Sequence, residues 1–292
     1  MQIYYGTLEN NINITKICEN NMMIDNHITI PNYDKIRKYF FGNPDPNNEN
    51  LIFINDGNKI NAYDNNYRID IDLNNNEIKA ITISDIYSKL NINYGTFNEE
   101  LPEQLMTFAI LNKKSKVLEI GGNIGKNSLI IASLLENSEN LVVLESDITN
   151  SKQLEENKKL NNLNFYIENS ALSKRKLIQR GRTTIPSDIL INGYNWVNNI
   201  SLEELNKKYN IIFDTLILDC EGAFYYILLD MPEILDNVKL IIMENDYTDI
   251  KQKEYVDKIL IQNNFNCCYD QPLLNCYFTM PCSQYFYEIW KR

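Results

Sequence analysis

The chain has 292 residues with 44% hydrophobic and 11% aromatic content, and its formal net charge is −11. These values exclude a disordered chain and allow one large domain or two modest ones. The negative charge argues against a nucleic-acid partner, which would need a local basic patch.

The densest basic run is Lys174-Arg175-Lys176, followed by Arg180 and Arg182. These side chains could bind phosphate, but charge runs are most often solvated surface. We therefore predict a solvated loop in this part of the chain.

Sequence features that report on the cellular compartment favour a cytoplasmic protein. No apolar run approaches the roughly 18 residues that span a bilayer, and residues 1–5 lack the charged segment of a signal peptide. The abundance of Asn, Ile and Tyr is typical of an AT-rich genome, such as that of a giant DNA virus or of an AT-rich protist. A viral origin would place the protein in the host cytoplasm. With one histidine, His27, and no CxxC pair, a zinc site has little support and we expect reduced thiols. The cysteines are Cys18, Cys220, Cys267, Cys268, Cys276 and Cys282.

The first part of the chain reads as short strands separated by turn signals, with one possible helix over residues 34–40. Five or six such strands predict a small β-sandwich or barrel. We assign residues 1–82 to this β-rich amino-terminal module, which shows no catalytic spacing. The predicted strands cover residues 2–5, 27–30, 50–54, 59–63 and 68–73.

From about Ile83 helices and very apolar strands alternate, which predicts an α/β domain over residues 83–292 with a mostly parallel sheet covered on both faces. The tail, over residues 265–269 and 285–290, predicts a terminal antiparallel strand pair. The predicted helices cover residues 99–111, 126–135, 151–160, 224–231 and 251–263, and the strands 116–120, 141–144, 164–168, 215–218 and 240–243.

A glycine-rich turn follows the first strand of this alternation and leads directly into a helix. The dinucleotide fingerprint G-x-G-x-x-G fails here, because Asn123 and Lys126 stand at its second and third glycine positions. The pattern Glu119-x-Gly121-x-Asn123-x-Gly125 is instead similar to the turn of S-adenosylmethionine-dependent methyltransferases. There the glycines let the backbone pass the methionyl end of the cofactor, and the carboxylate can receive its ammonium group. Packing alone is the alternative explanation of the glycines.

The next two strands also end in polar residues. Glu145 follows the second strand 20 residues after Gly125, a distance at which an acid typically accepts hydrogen bonds from ribose hydroxyls. An exposed glutamate at a strand end is the alternative. After the third strand, Ser170 and Ala171 could read the adenine edge.

Acidic residues end the two strands that follow. Asp219 and Glu221 emerge from one apolar strand, and Glu244-Asn245-Asp246 ends the next, so both sets should meet at one rim of the sheet. Buried carboxylates are costly unless they are paired, metal-bound or catalytic. An oxygen-rich group of this kind suits Mg²⁺ or Mn²⁺. Capping of the following helix by Asp219 or Glu221 is the alternative.

Four segments, taken as an ordered set, resemble the FkbM-type methyltransferase family, and the resemblance runs from about Asn98 to the carboxyl end of the chain. It implies a Rossmann-like class I methyltransferase sheet, S-adenosylmethionine as cofactor, and a sugar or glycan hydroxyl as acceptor. The segments are residues 118–125, 144–147, 169–173 and 218–222. The implied cofactor-binding residues are Glu119, Gly121, Gly122, Asn123, Gly125, Glu145, Ser146, Ser170, Ala171 and Asp219.

Two positions depart from that family. Its usual lysine falls on Ile217, and its usual histidine falls on Asp246. Asn245-Asp246-Tyr247 is similar to the metal-dependent macrocin-type sugar O-methyltransferases, which favours metal assistance over a histidine base. The resemblance therefore implies Asp219, Glu221 and Asp246 as catalytic residues, and Asp219, Glu244, Asn245 and Asp246 as metal ligands.

The sequence thus predicts an S-adenosylmethionine-dependent O-methyltransferase that acts on a sugar in glycan biosynthesis. An RNA-cap 2′-O-methyltransferase is the enzymatic alternative, although Ile217 and the net charge of −11 speak against it. A non-catalytic alternative is a glycan- or partner-binding protein that keeps the α/β domain as a scaffold. A homo-oligomer is compatible with the sequence, which does not name the acceptor.

Overall fold

The amino-terminal part of the chain forms two four-stranded antiparallel sheets, as seen in a computed structural model that describes residues 1–274 and 281–292. Its elements are β1 (Gln2–Gly6), β2 (Asn11–Asn13), α1 (Thr15–Asn21), β3 (Met23–Ile24), β4 (His27–Ile30), α2 (Asp34–Phe41), β5 (Leu51–Asn55), β6 (Ile60–Tyr63), β7 (Arg68–Asp72) and β8 (Glu77–Ile81). The sheet orders are β2-β1-β5-β6 and β3-β4-β7-β8.

The two amino-terminal sheets share one hydrophobic core. Ile3 and Ile52 of the first sheet and Ile28 and Ile69 of the second belong to the same buried cluster. Alternation along each strand sends such side chains to the inner face, because successive residues of a strand point to opposite sides. The β-rich architecture and the helix predicted near residue 34 are present, with more strands than the sequence suggested. The module boundary at residue 82 stays a prediction.

The rest of the chain alternates between helices and strands. In order, its elements are α3 (Ile83–Tyr87), α4 (Leu101–Ile110), β9 (Val117–Ile120), α5 (Lys126–Leu134), β10 (Leu141–Leu144), α6 (Ile148–Leu160), β11 (Tyr166–Glu168), β12 (Ala171–Leu172), β13 (Leu177–Arg180), β14 (Thr183–Pro186), β15 (Asn195–Val197), β16 (Asn199–Ile200), α7 (Leu202–Tyr209), β17 (Thr215–Leu218), α8 (Ala223–Asp230), β18 (Leu240–Glu244), α9 (Ile250–Gln262), β19 (Asn266–Gln271) and β20 (Tyr287–Lys291).

A seven-stranded sheet in the order β11-β10-β9-β17-β18-β20-β19 organises this part. The pairings from β11 to β18 are parallel, whereas β20 is antiparallel to both of its neighbours. This arrangement confirms the predicted Rossmann-like α/β fold with an antiparallel terminal strand pair. β10, the next strand along the chain, lies on one side of β9, and β17 lies on the other side. The strand order therefore reverses at β9, and open α/β sheets bind ligands at such a point.

Burial on both faces explains why the central strands are so apolar. Every residue of β9, β10 and β17 is buried. Val117 belongs to the core on one face, with α4 and α5, and the next residue, Leu118, to the core on the other, with α8 and α9. Because helices cover both faces of the sheet, these strands have no solvent-exposed positions at which polar residues would be favoured.

Lys174 and Lys176 are exposed and lie outside any strand, which agrees with the predicted solvated loop, but a strand that was not predicted follows them at Leu177–Arg180. β14, β13 and β15 form a three-stranded antiparallel sheet, and Leu177 and Ile178 are buried in it. Burial of these two apolar residues stabilises the strand. The sequence did not predict it because charged residues surround them. Arg175 is engaged too, because its Nη2 donates to Asp230 Oδ1 at 2.7 Å.

Buried polar contacts join the amino-terminal sheets to the α/β part. Arg68, fully buried in β7, donates from Nη1 to the carbonyl of Phe108 near the end of α4 at 2.8 Å. The side chain of Asn112 donates to the carbonyl of His27 at 2.8 Å. These bonds support α4, which is important because α4 borders the cleft described below.

No helix in residues 1–274 and 281–292 combines the length and apolar character needed to cross a membrane. The described cysteines are free thiols, and Cys276 lies outside the described residues. Burial raises the pKa of Cys18 to about 12, so this thiol is protonated at neutral pH and a poor nucleophile.

Candidate active site

The glycine turn after β9 packs directly against the end of β17. Gly121 has a φ of 95°, and a Cβ added there would lie 1.6 Å from the carbonyl oxygen of Asp219. Gly125 caps α5 with a φ of 93°, and a Cβ there would lie 2.3 Å from Leu154. Only glycine satisfies both the left-handed backbone and the close approach. Packing therefore explains these two glycines, and Gly121 also lines a cleft.

Glu145 is held at this turn by two backbone N–H groups. Its Oε2 accepts from Asn123 N and its Oε1 from Asp147 N, each at 2.7 Å. Each carboxylate oxygen keeps a further lone pair for another donor. Burial raises the pKa of Glu145 to about 7, and the two backbone bonds oppose this rise. Glu145 is therefore a buried, oriented acceptor and not an exposed glutamate at a strand end.

Glu119, the third residue of β9, is also buried. Ser128 of α5 donates its hydroxyl to Glu119 Oε2. Burial raises the pKa of Glu119 to about 8, an effect that the Ser128 hydrogen bond partly offsets. A carboxyl group with this pKa can be charged or neutral near pH 7, depending on what stands opposite it.

A cleft that is open on one side to solvent runs from α4 across the glycine turn to the ends of β17 and β18. Residues predicted from the sequence contribute half of its polar side chains, and the other half come from the start of α4 and from α5 and were not predicted. The predicted residues are Glu119, Gly121, Gly122, Asp219 and Glu244, and the additional polar ones are Glu100, Glu103 and Asn127.

The acidic ends of β17 and β18 meet as their parallel pairing requires. Asp219, Glu244 and Asp246 each present an oxygen atom within 4.8 Å of the others. Burial is the largest cause that raises the pKa of each carboxyl group, and Asp219 raises the pKa of both Glu244 and Asp246 further. One oxygen of Asp246, Oδ2, is buried without a hydrogen-bond partner. We call these three residues the acidic rim.

Two other predicted residues lie beside the acidic rim in different surroundings. Glu221 is half-exposed, has a φ of 51°, and lies 3.6 Å from Nη1 of Arg182. The buried Asn245 donates from its side chain to the carbonyl of Tyr285 at 2.6 Å. The N-cap of α8 is Gly222, which has no side chain. A carboxylate of Asp219 or Glu221 is therefore not the N-cap of this helix.

The end of β11 lies against Glu145 through Asn169, which stands in one of the family-like segments but was not among the predicted cofactor-binding residues. Asn169 donates from its side chain to the carbonyls of Glu145 and Ser146, at 2.8 and 3.3 Å. The Ser170 hydroxyl lies 3.3 Å from Glu168, and the amide of Ala171 donates to Asn198. The amide of Ala171 is thus already used within the protein, as is that of Ser170, which donates to the Glu168 carbonyl.

Lys126 closes the turn from the α4 side. Its ammonium group lies 2.7 Å from Glu100 and 3.1 Å from Glu99. Burial lowers the pKa of Lys126, but these two carboxylates raise it overall. The side chain of Asn123 also donates to Glu100 at 3.2 Å. This network joins the start of α4 to the glycine turn. Asn123 contributes to it with its side chain, which contacts Glu100, while its backbone N–H contacts Glu145.

Comparison with known proteins finds similarity in solved structures. No protein-family model matches the chain, and no curated protein sequence matches it. Ribosomal protein L11 methylase of Lactobacillus delbrueckii subsp. bulgaricus aligns over 69% of this chain and 81% of its own, with 13% identity and a TM-score of 0.42.

Two further solved structures were crystallised with a bound cofactor or its product. The O-methyltransferase of Bacillus cereus, in complex with SAH, aligns over 71% of this chain and 86% of its own, with 12% identity and a TM-score of 0.40. Fibrillarin of Aeropyrum pernix, with natively bound S-adenosyl-L-methionine, aligns over 78% and 94%, with 10% identity and a TM-score of 0.43.

Proposed function

We propose that the cleft binds S-adenosylmethionine and that the protein is an S-adenosylmethionine-dependent methyltransferase. The observation that carries the proposal is the position of Glu145, whose two carboxylate oxygens are fixed at the glycine turn by Asn123 N and Asp147 N. A carboxylate oriented in this way accepts hydrogen bonds from two neighbouring ribose hydroxyls. Asn169 fixes the same strand end from the other side.

The methionyl end of the cofactor would then lie along Gly121 and Gly122. Glu119 and Glu100 line this part of the cleft, where their carboxylates would face the ammonium group. The sulfonium carries a second positive charge, and a cleft lined by acids favours both charges by Coulomb attraction. Burial is the largest cause of the raised pKa of Glu119, and the neighbouring carboxylates raise it further. Binding of an ammonium group would stabilise its charged form.

We propose that the acceptor is a hydroxyl group held at the acidic rim. In the transfer, the hydroxyl oxygen forms a bond to the methyl carbon while the bond from that carbon to sulfur breaks, and S-adenosylhomocysteine leaves. The hydroxyl proton passes to a carboxylate, for which Asp219 and Asp246 are placed. Because burial raises the pKa of both groups toward neutrality, either carboxylate is a stronger base than an exposed aspartate. Glu221, half-exposed beside Arg182, would orient the acceptor.

The acceptor class that fits this rim best is a sugar. Sugars present several hydroxyl donors, and Asp219, Glu244 and Asp246 offer clustered acceptor oxygens. Phosphate-rich acceptors such as an RNA cap would be repelled by the same carboxylates. Arg182, which lies 3.6 Å from Glu221 beside the rim, has a side chain that is 85% exposed. We also propose that the protein is cytoplasmic. Residues 1–82 and 83–292 are the two proposed domains.

One experiment tests the cofactor, and a second the acceptor. Denatured, purified protein analysed by mass spectrometry should release S-adenosylmethionine or its homocysteine product, and the emptied protein should bind added cofactor in calorimetry. Absence of both would disprove the cofactor assignment and favour a non-catalytic role. Transfer of a labelled methyl group to nucleotide sugars or oligosaccharides, and not to capped RNA, supports the sugar assignment. Methylation of capped RNA alone would overturn the sugar assignment.

A further inference from the structure

Three consecutive aliphatic side chains are exposed in the connection between β14 and β15. Ile189, Leu190 and Ile191, which we call the apolar run, are 71%, 52% and 42% exposed. In the described part of the chain no other exposed large apolar residues are consecutive in the sequence. Consecutive apolar residues that face water are unfavourable unless they serve a function, and they typically mark a binding surface. The apolar run therefore indicates a surface that binds a partner.

The apolar run belongs to a connection that crosses the small sheet. β14 and β15 pair with β13 on its two sides, and both are antiparallel to it. Residues 187–194 must therefore pass from one end of this sheet to the other. Backbone hydrogen bonds hold the connection at both ends, from Ser187 N to the Lys176 carbonyl and from Tyr194 N to the Ile191 carbonyl. The apolar run is thus presented at the surface by a connection that is held in place.

The same part of the chain carries a charge opposite to that of the rest. Residues 174–197 hold five of the 28 basic residues and one of the 39 acidic ones, so their formal charge is +4 and that of the remaining residues is −15. Lys176 and Arg180 are exposed and have no salt bridge with any described residue. Their charges are therefore available to an anionic partner. The other three basic residues pair with acids of other segments, and they are Lys174, Arg175 and Arg182.

An anionic lipid surface fits this combination of groups. Aliphatic side chains enter the boundary between headgroups and acyl chains, and nearby lysine and arginine side chains attract anionic headgroups. Trp196, half-exposed in β15, is of a residue type that is enriched at this boundary. The charge of −15 on the remaining residues would be repelled by the same surface, which orients residues 174–197 toward it. A nucleic acid could contact the basic groups but would leave the apolar run in water.

We propose that the apolar run inserts at the surface of an anionic lipid bilayer and that Lys176 and Arg180 face the lipid headgroups. The inference goes beyond the proposed function, because binding to a bilayer requires neither S-adenosylmethionine nor an acceptor. Arg182 lies in the turn that joins β13 to β14, 3.6 Å from Glu221. The part of the chain that binds the bilayer therefore also borders the acidic rim.

Flotation of the full chain with lipid vesicles tests the apolar run. We expect the protein to float with vesicles of phosphatidylcholine mixed with phosphatidylserine, and more weakly with phosphatidylcholine alone. Ile189→Ser combined with Leu190→Ser should weaken binding to the mixed vesicles by about tenfold or more, because removing these side chains from water drives insertion. Both side chains are exposed, so the variant should fold, and its melting temperature checks this. Leu8→Ser combined with Ile60→Ser makes the same changes at two other exposed positions and should bind like the unchanged protein.

A second pair of variants tests the charges. Lys176→Gln combined with Arg180→Gln should weaken binding to the mixed vesicles by about tenfold or more, since each basic residue near an anionic surface adds to the attraction. High salt should weaken binding of the unchanged protein too, because it screens this attraction. Lys59→Gln combined with Lys152→Gln removes the same charge at exposed positions elsewhere and should leave binding unchanged.

Three results would contradict the proposal. Absence of binding to the mixed vesicles by the unchanged protein would overturn the lipid surface. Equal binding by Ile189→Ser combined with Leu190→Ser would remove the apolar run from it. A dimer in solution that this variant dissociates, without vesicle binding, would assign the run to contact with a second copy of the chain.

Cofactor binding is measured separately in the same samples. Retained S-adenosylmethionine binding without vesicle binding would refute the lipid surface alone. Vesicle binding without S-adenosylmethionine binding would support the lipid surface and refute the cofactor assignment alone.

Discussion

The backbone nitrogen of Asn123 lies 2.7 Å from Oε2 of Glu145, so the glycine turn and the end of the second parallel strand share a hydrogen bond. This bond fixes a buried carboxylate where a ribose would lie. We predict that Glu145→Gln weakens S-adenosylmethionine binding by roughly tenfold. The amide keeps the shape but loses acceptor capacity, and a hydrogen bond to a charged group contributes about 1.5 kcal/mol or more.

Calorimetry on the folded variant measures this loss. Glu139→Gln serves as the control, since Glu139 is exposed and makes no contact with the cleft. Equal cofactor affinity in the two variants would show that Glu145 does not bind the ribose.

Gly121→Ala should strongly destabilise the fold, because the added Cβ would lie 1.6 Å from the Asp219 carbonyl oxygen. Gly57→Ala provides a close control. Gly57 has almost the same positive φ, 96° against 95°, but no atom within 4 Å of the added Cβ. Urea unfolding should show about 1 kcal/mol lost at Gly57, from backbone strain alone. A loss at Gly121 no larger than this would mean that β9 and β17 can separate at little cost.

Asp219→Ala should reduce methyl transfer by about a hundredfold or more, the usual contribution of a general base. Cofactor affinity should stay within a few-fold, because Glu145 and the glycine turn are unchanged. Formation of S-adenosylhomocysteine measures transfer, and calorimetry measures affinity. Asp236→Ala, which removes an exposed aspartate outside the cleft, is the control. Unchanged turnover in Asp219→Ala would end the catalytic assignment.

The cofactor-free protein should lose stability as the pH rises from about 5 to about 8. Burial raises the pKa of Glu119 to about 8 in the folded state, well above the unfolded value. The folded state therefore binds this proton more tightly, and the stabilisation disappears as the pH rises through the folded pKa. Glu119→Gln should flatten the dependence of the free energy of unfolding on pH.

Chemical unfolding at several pH values measures this slope. Glu139→Gln lowers the net negative charge by the same amount and should keep the slope. A slope identical in both variants would show that Glu119 does not carry the raised pKa.

Much of the fold could be predicted because it depends on local patterns. Strands buried on both faces read as apolar runs, and the predicted bounds of β10 and β17 are those observed. The capping box of α7, Ser201 with Glu204, was present in the sequence and could have identified that helix. β13 was missed because its apolar residues are few and lie among charges.

The candidate site could be predicted only in part, because some of its residues come from elements that are far apart in the sequence. Strand-end residues such as Asp219 and Glu244 could be placed at one rim because parallel pairing brings strand ends together. Glu103 could not, because its direction depends on how α4 docks against β18. The helical pattern identifies α4 but not its rotation relative to a strand more than a hundred residues later.

The guanidinium group of Arg68 also has a consequence for how the chain can be divided. It belongs to the amino-terminal sheets, yet it is fully buried and donates to the Phe108 carbonyl in α4. A protein trimmed to begin at residue 83 would keep every strand of the large sheet. It would nevertheless uncover one side of α4 and leave that carbonyl without its donor. The portion that looks like an independent domain by topology therefore depends on its neighbour for the helix that borders its cleft.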